Sequence, residues 1–225
     1  MNWMKKVAVA LVCLLPLGLQ AAKVDTLQVK SPSMNKSIEV VVVSPDVAAT
    51  KACPVIYLLH GYGGNARTWV GIKPDLSKIA DEKGIFFVCP DGKNTWYWDS
   101  PLNADVRYET FISDELVKYV DSHYKTVADR KGRAITGLSM GGHGAMWNGL
   151  RHSDVFSAAG STSGGVDIRP FPKNWEMSVQ IGEKAQYPEN WEKYTVINLV
   201  PTLRKDQIAL IFDCGDKDFF LEIRK

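Results

Sequence analysis

Short apolar runs, separated by turns rich in glycine and proline, dominate the pattern of hydrophobic and polar positions along the chain. Pro54–Leu59 (PVIYLL) and Gly84–Cys89 (GIFFVC) are continuously apolar, as expected for strands buried on both faces of a parallel sheet. Val24–Val29 and Ile38–Val43, with a Ser/Pro/Asn segment between them, read as an N-terminal hairpin. Further strands are expected at Arg133–Thr136, Val155–Gly160 and Gln207–Phe212. Helical spacing fills intervals between them: Pro74–Ala80 with its proline in the first turn, Glu109–Tyr124 with a stripe of Ile112, Leu116, Tyr119 and Val120, and Met140–Arg151. Alternating buried strands and helices predict an α/β fold, a doubly wound and mostly parallel sheet in one domain. Ligand sites in such sheets lie beyond the carboxyl ends of the strands. The glycine-rich turns fall there, at His60–Gly64, Pro90–Gly92, Gly137–Gly141 and Ser161–Gly165. Val166–Lys205 is polar, aromatic and proline-bearing, and reads as short helices and loops capping that end.

The beginning of the chain breaks the pattern. Lys5 and Lys6 precede an apolar run from Val7 to Leu19, and Ala21 and Ala22 offer small residues for cleavage. This is the layout of a secretory signal peptide, so residues 1–22 are expected to be removed and 23–225 to form the domain. The mature protein is then exported, periplasmic or extracellular, with no stable membrane insertion after cleavage. Composition changes the picture little. With 225 residues, 45% hydrophobic and a formal charge of +2, the chain has a core and no electrostatic case for nucleic acid as partner. Cys53, Cys89 and Cys214 lie in or beside apolar stretches without metal-ligand spacing and read as small buried hydrophobes.

The chemistry concentrates in GLSMGGHGA, residues 137–145. Gly137-x-Ser139-x-Gly141, following a strand and opening a helix, fits a nucleophile elbow, where the turn is too tight for side chains two residues either side of the serine. Its helix N-terminus aims the Met140 backbone N–H at a developing oxyanion, and the His60–Gly64 turn offers the Tyr62 N–H as second donor. A triad acid belongs after the last strand, where Asp213, Asp216 and Asp218 lie. Trp96-Tyr97-Trp98-Asp99 either lines an acyl or sugar pocket or packs the rim of the core.

LLHGYGG, GRAITGLSMGGHGA and FDCGDKDFF together resemble the esterase D, or S-formylglutathione hydrolase-like, family of α/β-hydrolases, which includes feruloyl and acetylxylan esterases and mycolyltransferases. The resemblance implies Ser139 as nucleophile, Asp218 as triad acid, and the Tyr62 and Met140 amides as oxyanion donors. It implies neither metal nor cofactor. The family's base is a histidine following the acid, whereas the four histidines here, His60, His123, His143 and His152, all precede it. His60 reads as turn packing, His123 and His152 as capping or surface residues, and His143 is carried away from the Ser139 hydroxyl by the rising helix. The chain is accordingly expected to be incomplete at its C-terminus, lacking the last strand, the last helix and the base. The expected function is an exported serine carboxylesterase acting on acetyl, feruloyl or short-chain acyl esters, free or linked to polysaccharide. The alternatives are an acyltransferase of mycolyltransferase type and a non-catalytic fragment. Oligomeric state is left open.

Overall fold

The computed structural model describes residues 22–218. The signal-peptide reading therefore lies outside the described residues, apart from Ala22. Strands β1 (Lys23–Ser31) and β2 (Lys36–Ser44) form the expected hairpin, pairing Lys23 with Ser44 and Ser31 with Lys36. β3 (Val55–Leu59) is followed by α1 (Thr68–Ile72) and α2 (Leu76–Lys83), then by β4 (Phe86–Pro90). A helical run comprises α3 (Tyr108–Thr110), a π turn (Phe111–Glu115) and α4 (Leu116–His123). β5 (Arg133–Gly137), α5 (Met140–Arg151) and β6 (Ala158–Thr162) follow, then α6 (Met177–Ile181), α7 (Pro188–Lys193) and β7 (Ala209–Asp213).

These strands form one seven-stranded sheet in the order β1-β2-β4-β3-β5-β6-β7. β2 runs antiparallel to β1 and β4, and every other pairing is parallel. The continuous apolar runs have their reason here, because successive residues of one strand enter two different cores. Val40, Val42, Tyr57, Leu59 and Val88 face α4 and α5, packing with Leu116, Val120, Trp147 and Leu150. Val41, Val43, Leu58, Phe87 and Cys89 face α2, packing with Leu76 and Ala80. Cys53 and Cys89 are buried as expected, whereas Cys214, just past the exposed edge strand β7, is exposed and so departs from the expectation.

Three expectations are corrected. The helix placed at Pro74–Ala80 starts at Leu76 and runs on to Lys83, ended by Gly84 at φ 63°, and α1 precedes it unanticipated. The single helix expected over Glu109–Tyr124 is interrupted by the π turn, within which Ser113 donates a hydrogen bond to the buried Asn148 of α5 at 2.8 Å. The strands placed at Val155–Gly160 and Gln207–Phe212 begin later, at Ala158 and Ala209, because Val155 and Phe156 still bond back to His152 after α5 and Gln207 bonds back to Arg204 in a turn. The segment from Val166 to Lys205 folds as the short helices expected. It is tied to the aromatic loop by Ser100 Oγ donating to Gln180 O at 2.6 Å and Tyr194 OH donating to Asp99 O at 2.7 Å. Among the described residues β7 is one edge of the sheet and β1 the other; in β7, Ile211 and Phe212 are 75% and 72% exposed, and an apolar hollow of about 360 Å³ opens between β7, α5 and residues 196–200.

Candidate active site

The register places the site. Leu59 at the end of β3 pairs with Gly137 at the end of β5, so the turns that follow both strands emerge side by side. The β5 turn is shaped by absent side chains. A Cβ on Gly137 would lie 2.3 Å from Gly141 O, and one on Gly141 would lie 2.2 Å from Leu59 O. Any substituent at either position meets backbone, which explains the glycine spacing. Between them Ser139 adopts φ 53° and ψ −118°, a conformation that a non-glycine residue holds only when its surroundings over-determine it. Its own N–H donates to Thr162 O at 2.9 Å, its carbonyl accepts from His143 N–H at 3.0 Å, and α5 begins at the next residue. Met140 N–H is thus a first-turn donor of a twelve-residue helix, a class with no intrahelical acceptor.

The β3 turn abuts the serine. A Cβ on Gly61 would lie 3.6 Å from Ser139 Cβ and 2.8 Å from Leu138 Cδ1, so the residue before Tyr62 packs against the serine turn. Asp218 lies beyond the same end of the sheet: Thr162 pairs with Asp213 at the end of β7, and Asp218 sits in the turn that follows, its N–H donating to Gly215 O at 3.0 Å.

The histidines are engaged elsewhere. His60 is buried; its Nδ1 donates to Gly61 O at 2.7 Å and its Nε2 accepts the Gly92 N–H at 2.9 Å. Asp91 Oδ1 lies 3.5 Å from the same Nε2. His143 is fully buried, with Nδ1 donating to Gly165 O at 2.7 Å and Nε2 accepting the Trp98 indole N–H at 3.0 Å. Burial lowers its pKa to about 4, against the weaker opposing effect of the Gly165 bond. His152 ends α5, about 20 Å along the helix from Ser139, with Nε2 bonded to Glu109 Oε1 at 2.8 Å. His123 closes α4, bonding Tyr119 O at 2.8 Å and stacking on the Tyr119 ring, and sits near Phe86 at the amino ends of the strands. Among the described residues no group of three His, Cys, Asp or Glu is placed to hold a metal.

Of the two readings of the aromatic loop, the structure supports packing. Trp96, Tyr97 and Trp98 are 2%, 0% and 0% exposed. Trp98 packs edge-on to His143 and Tyr194, and Tyr97 OH donates to His60 O at 3.1 Å. These rings build the floor that carries both turns. Two polar residues beside the site, Asn94 and Glu176, were not expected; neither belongs to a motif, and they meet through tertiary contacts only.

With this geometry the chain matches, over residues 31–224, the family described as "Putative esterase". It belongs to that esterase family. An esterase of Mycobacterium tuberculosis is 31% identical over 149 residues, 63% of this chain, and the chain spans only 32% of that relative's length. S-formylglutathione hydrolase of Mus musculus is 22% identical over 198 residues, 79% of this chain and 68% of the relative. Among solved structures, a ferulic acid esterase superposes with a TM-score of 0.71 at 30% identity, covering 90% of this chain and 82% of that one. The fold is that of the α/β-hydrolases.

Proposed function

We propose that the chain is an exported serine carboxylesterase with Ser139 as nucleophile. The observation that carries this is the backbone of Ser139, held at φ 53° between two glycines that have no room for a side chain, at the start of a long helix. In the proposed reaction Ser139 Oγ attacks the ester carbonyl while a base takes its proton, and the Tyr62 and Met140 N–H groups hold the oxyanion. The tetrahedral adduct expels the alcohol and leaves an acyl-serine, which water then hydrolyses. Asp218 is the proposed acid of the triad. The base is not one of His60, His123, His143 or His152, whose ring nitrogens or positions are committed elsewhere. The proposed substrates are acetyl or feruloyl esters met outside the cytoplasm. Supporting this are the signal-like N-terminus and the similarity to a ferulic acid esterase.

Hydrolysis of p-nitrophenyl acetate and methyl ferulate, with and without Ser139→Ala, tests the reading. The 225-residue chain is expected to turn over weakly, and Ser139→Ala to abolish what there is. If the 225-residue chain instead reaches ordinary enzymatic rates, about 10 per second, and loses them when one of its four histidines is changed, the base is resident and the assignment above is wrong. N-terminal sequencing of the protein recovered from outside the cytoplasm, expected to begin at Lys23, tests export.

A further inference from the structure

Gly63 of the β3 turn heads a short hydrogen-bonded relay drawn from three parts of the chain. Gly63 N–H donates to Asn94 Oδ1 at 2.9 Å. The same amide's Nδ2 donates to Glu176 Oε2 at 3.2 Å. Burial and the neighbouring Glu176 carboxylate raise the pKa of the Tyr62 phenol. Only one orientation of the Asn94 amide serves both partners, since its oxygen must face an N–H and its nitrogen a carboxylate. Behind this relay, the buried Trp96 indole donates to Trp175 O at 3.1 Å, which fixes the residue preceding Glu176. The segments that converge here carry left-handed backbone at Lys93, Trp96, Tyr97, Trp175 and Glu176, none of them glycine. Such conformations persist where packing and hydrogen bonds over-determine them, and they gather at functional sites.

We infer that Asn94 and Glu176 are positioning residues that decide which amide of the β3 turn serves the oxyanion. Two neighbouring N–H groups, those of Tyr62 and Gly63, could face Ser139. Asn94 takes the Gly63 N–H, so the Tyr62 N–H is the one left to point at the serine. Glu176 holds Asn94 in that role. The inference rests on the proposed roles of Ser139 and of the Tyr62 amide.

The experiment titrates the full chain with phenylboronic acid, whose boron accepts Ser139 Oγ to give a tetrahedral anion while the hydroxyl proton passes to buffer. Dissociation constants are compared for the unchanged protein, Ser139→Ala, Asn94→Ala, Glu176→Ala and Glu176→Gln. Backbone exchange at Gly63 is followed by NMR and thermal unfolding serves as control. Asn94→Ala and Glu176→Ala are expected to weaken binding about tenfold, a fraction of what losing an oxyanion donor outright costs, and to speed exchange of the Gly63 amide. Glu176→Gln, which still accepts from Asn94, is expected to stay within about threefold of the unchanged protein. Glu176 is exposed, so its variants are expected to fold and to unfold at the same temperature. Binding by Asn94→Ala within twofold of the unchanged protein, or Glu176→Gln as damaging as Glu176→Ala, overturns the positioning role. If Ser139→Ala binds the boronate as well as the unchanged protein, the nucleophile assignment fails and the positioning role falls with it.

Discussion

The two turns that meet at the candidate site are held by different means. The turn after β5 is fixed by its own backbone. Gly137 presses on Gly141, Gly141 presses on Leu59, and Ser139 is pinned at both its N–H and its carbonyl by Thr162 and His143. The turn after β3 is fixed by the loop of residues 92–97: Asn94 Oδ1 accepts the Gly63 N–H, the Gly92 N–H bonds the His60 ring, and Tyr97 OH bonds the His60 carbonyl. One turn is a steric solution with no room to yield, and the other is held by a single distant loop. A substitution in the first therefore collides with backbone that cannot yield, whereas a substitution in the second removes a support and leaves the chain free to relax.

That contrast orders the expected effects. Gly141→Ala should be the most damaging, because its Cβ would sit 2.2 Å from Leu59 O and 2.6 Å from His60 O, driving the two turns apart. A loss of about 3 kcal/mol or more is expected, read as a fall in melting temperature of roughly 6–12 °C for a domain of this size, together with loss of any Ser139-dependent turnover. A melting point within a degree or two of the unchanged protein would show that the first turn yields as readily as the second.

Next in size is the pH dependence that His143 gives to the helix carrying Ser139. Its pKa is about 4 in the folded protein against 6.5 as the ordinary value, so between those limits the unfolded chain binds a proton that the folded one refuses. Stability from this group is whole above pH 6.5 and falls as pH drops toward 4, by about 3 kcal/mol over the window. Denaturant titrations at a series of pH values should show a flatter dependence in His143→Gln. Equal slopes in the two proteins would mean that His143 is not held neutral.

In the second turn, His60→Ala leaves the Gly92 N–H and the Gly61 carbonyl without their buried partner. About 2 kcal/mol is expected from chemical denaturation, with the fold retained. The smallest effect on stability should be Asn94→Ala, whose bond to Gly63 lies at the surface. Less than about 1 kcal/mol is expected, although the same change should loosen the proposed oxyanion donor. A stability loss matching that of Gly141→Ala would erase the distinction between the turns.

The same contrast explains what could be read in advance. The strands β3 and β4, the hairpin and α5 were legible because each buries its own periodic pattern. The serine turn was legible because its glycines are required within five residues of sequence. The interruption of the helix at Phe111–Glu115 was not, since nothing in its spacing announces that Ser113 must reach Asn148. The aromatic loop was ambiguous for a related reason. Tryptophan and tyrosine serve both pockets and cores, and only the packing of Trp98 against His143 and Tyr194 decided for the core.

From the sequence alone came the α/β class, the strand-to-helix turn at Ser139 and the exclusion of its own His143 as base by helical geometry. These follow from local sterics and from periodicity, which act over a few residues. The tertiary structure decided where each histidine spends its ring nitrogens, which aromatics are buried, and how Asn94 and Glu176 come to hold the Tyr62–Gly63 turn. Those depend on the pairing of Leu59 with Gly137 and on the docking of residues 166–205 over the sheet, contacts between positions that no local pattern links.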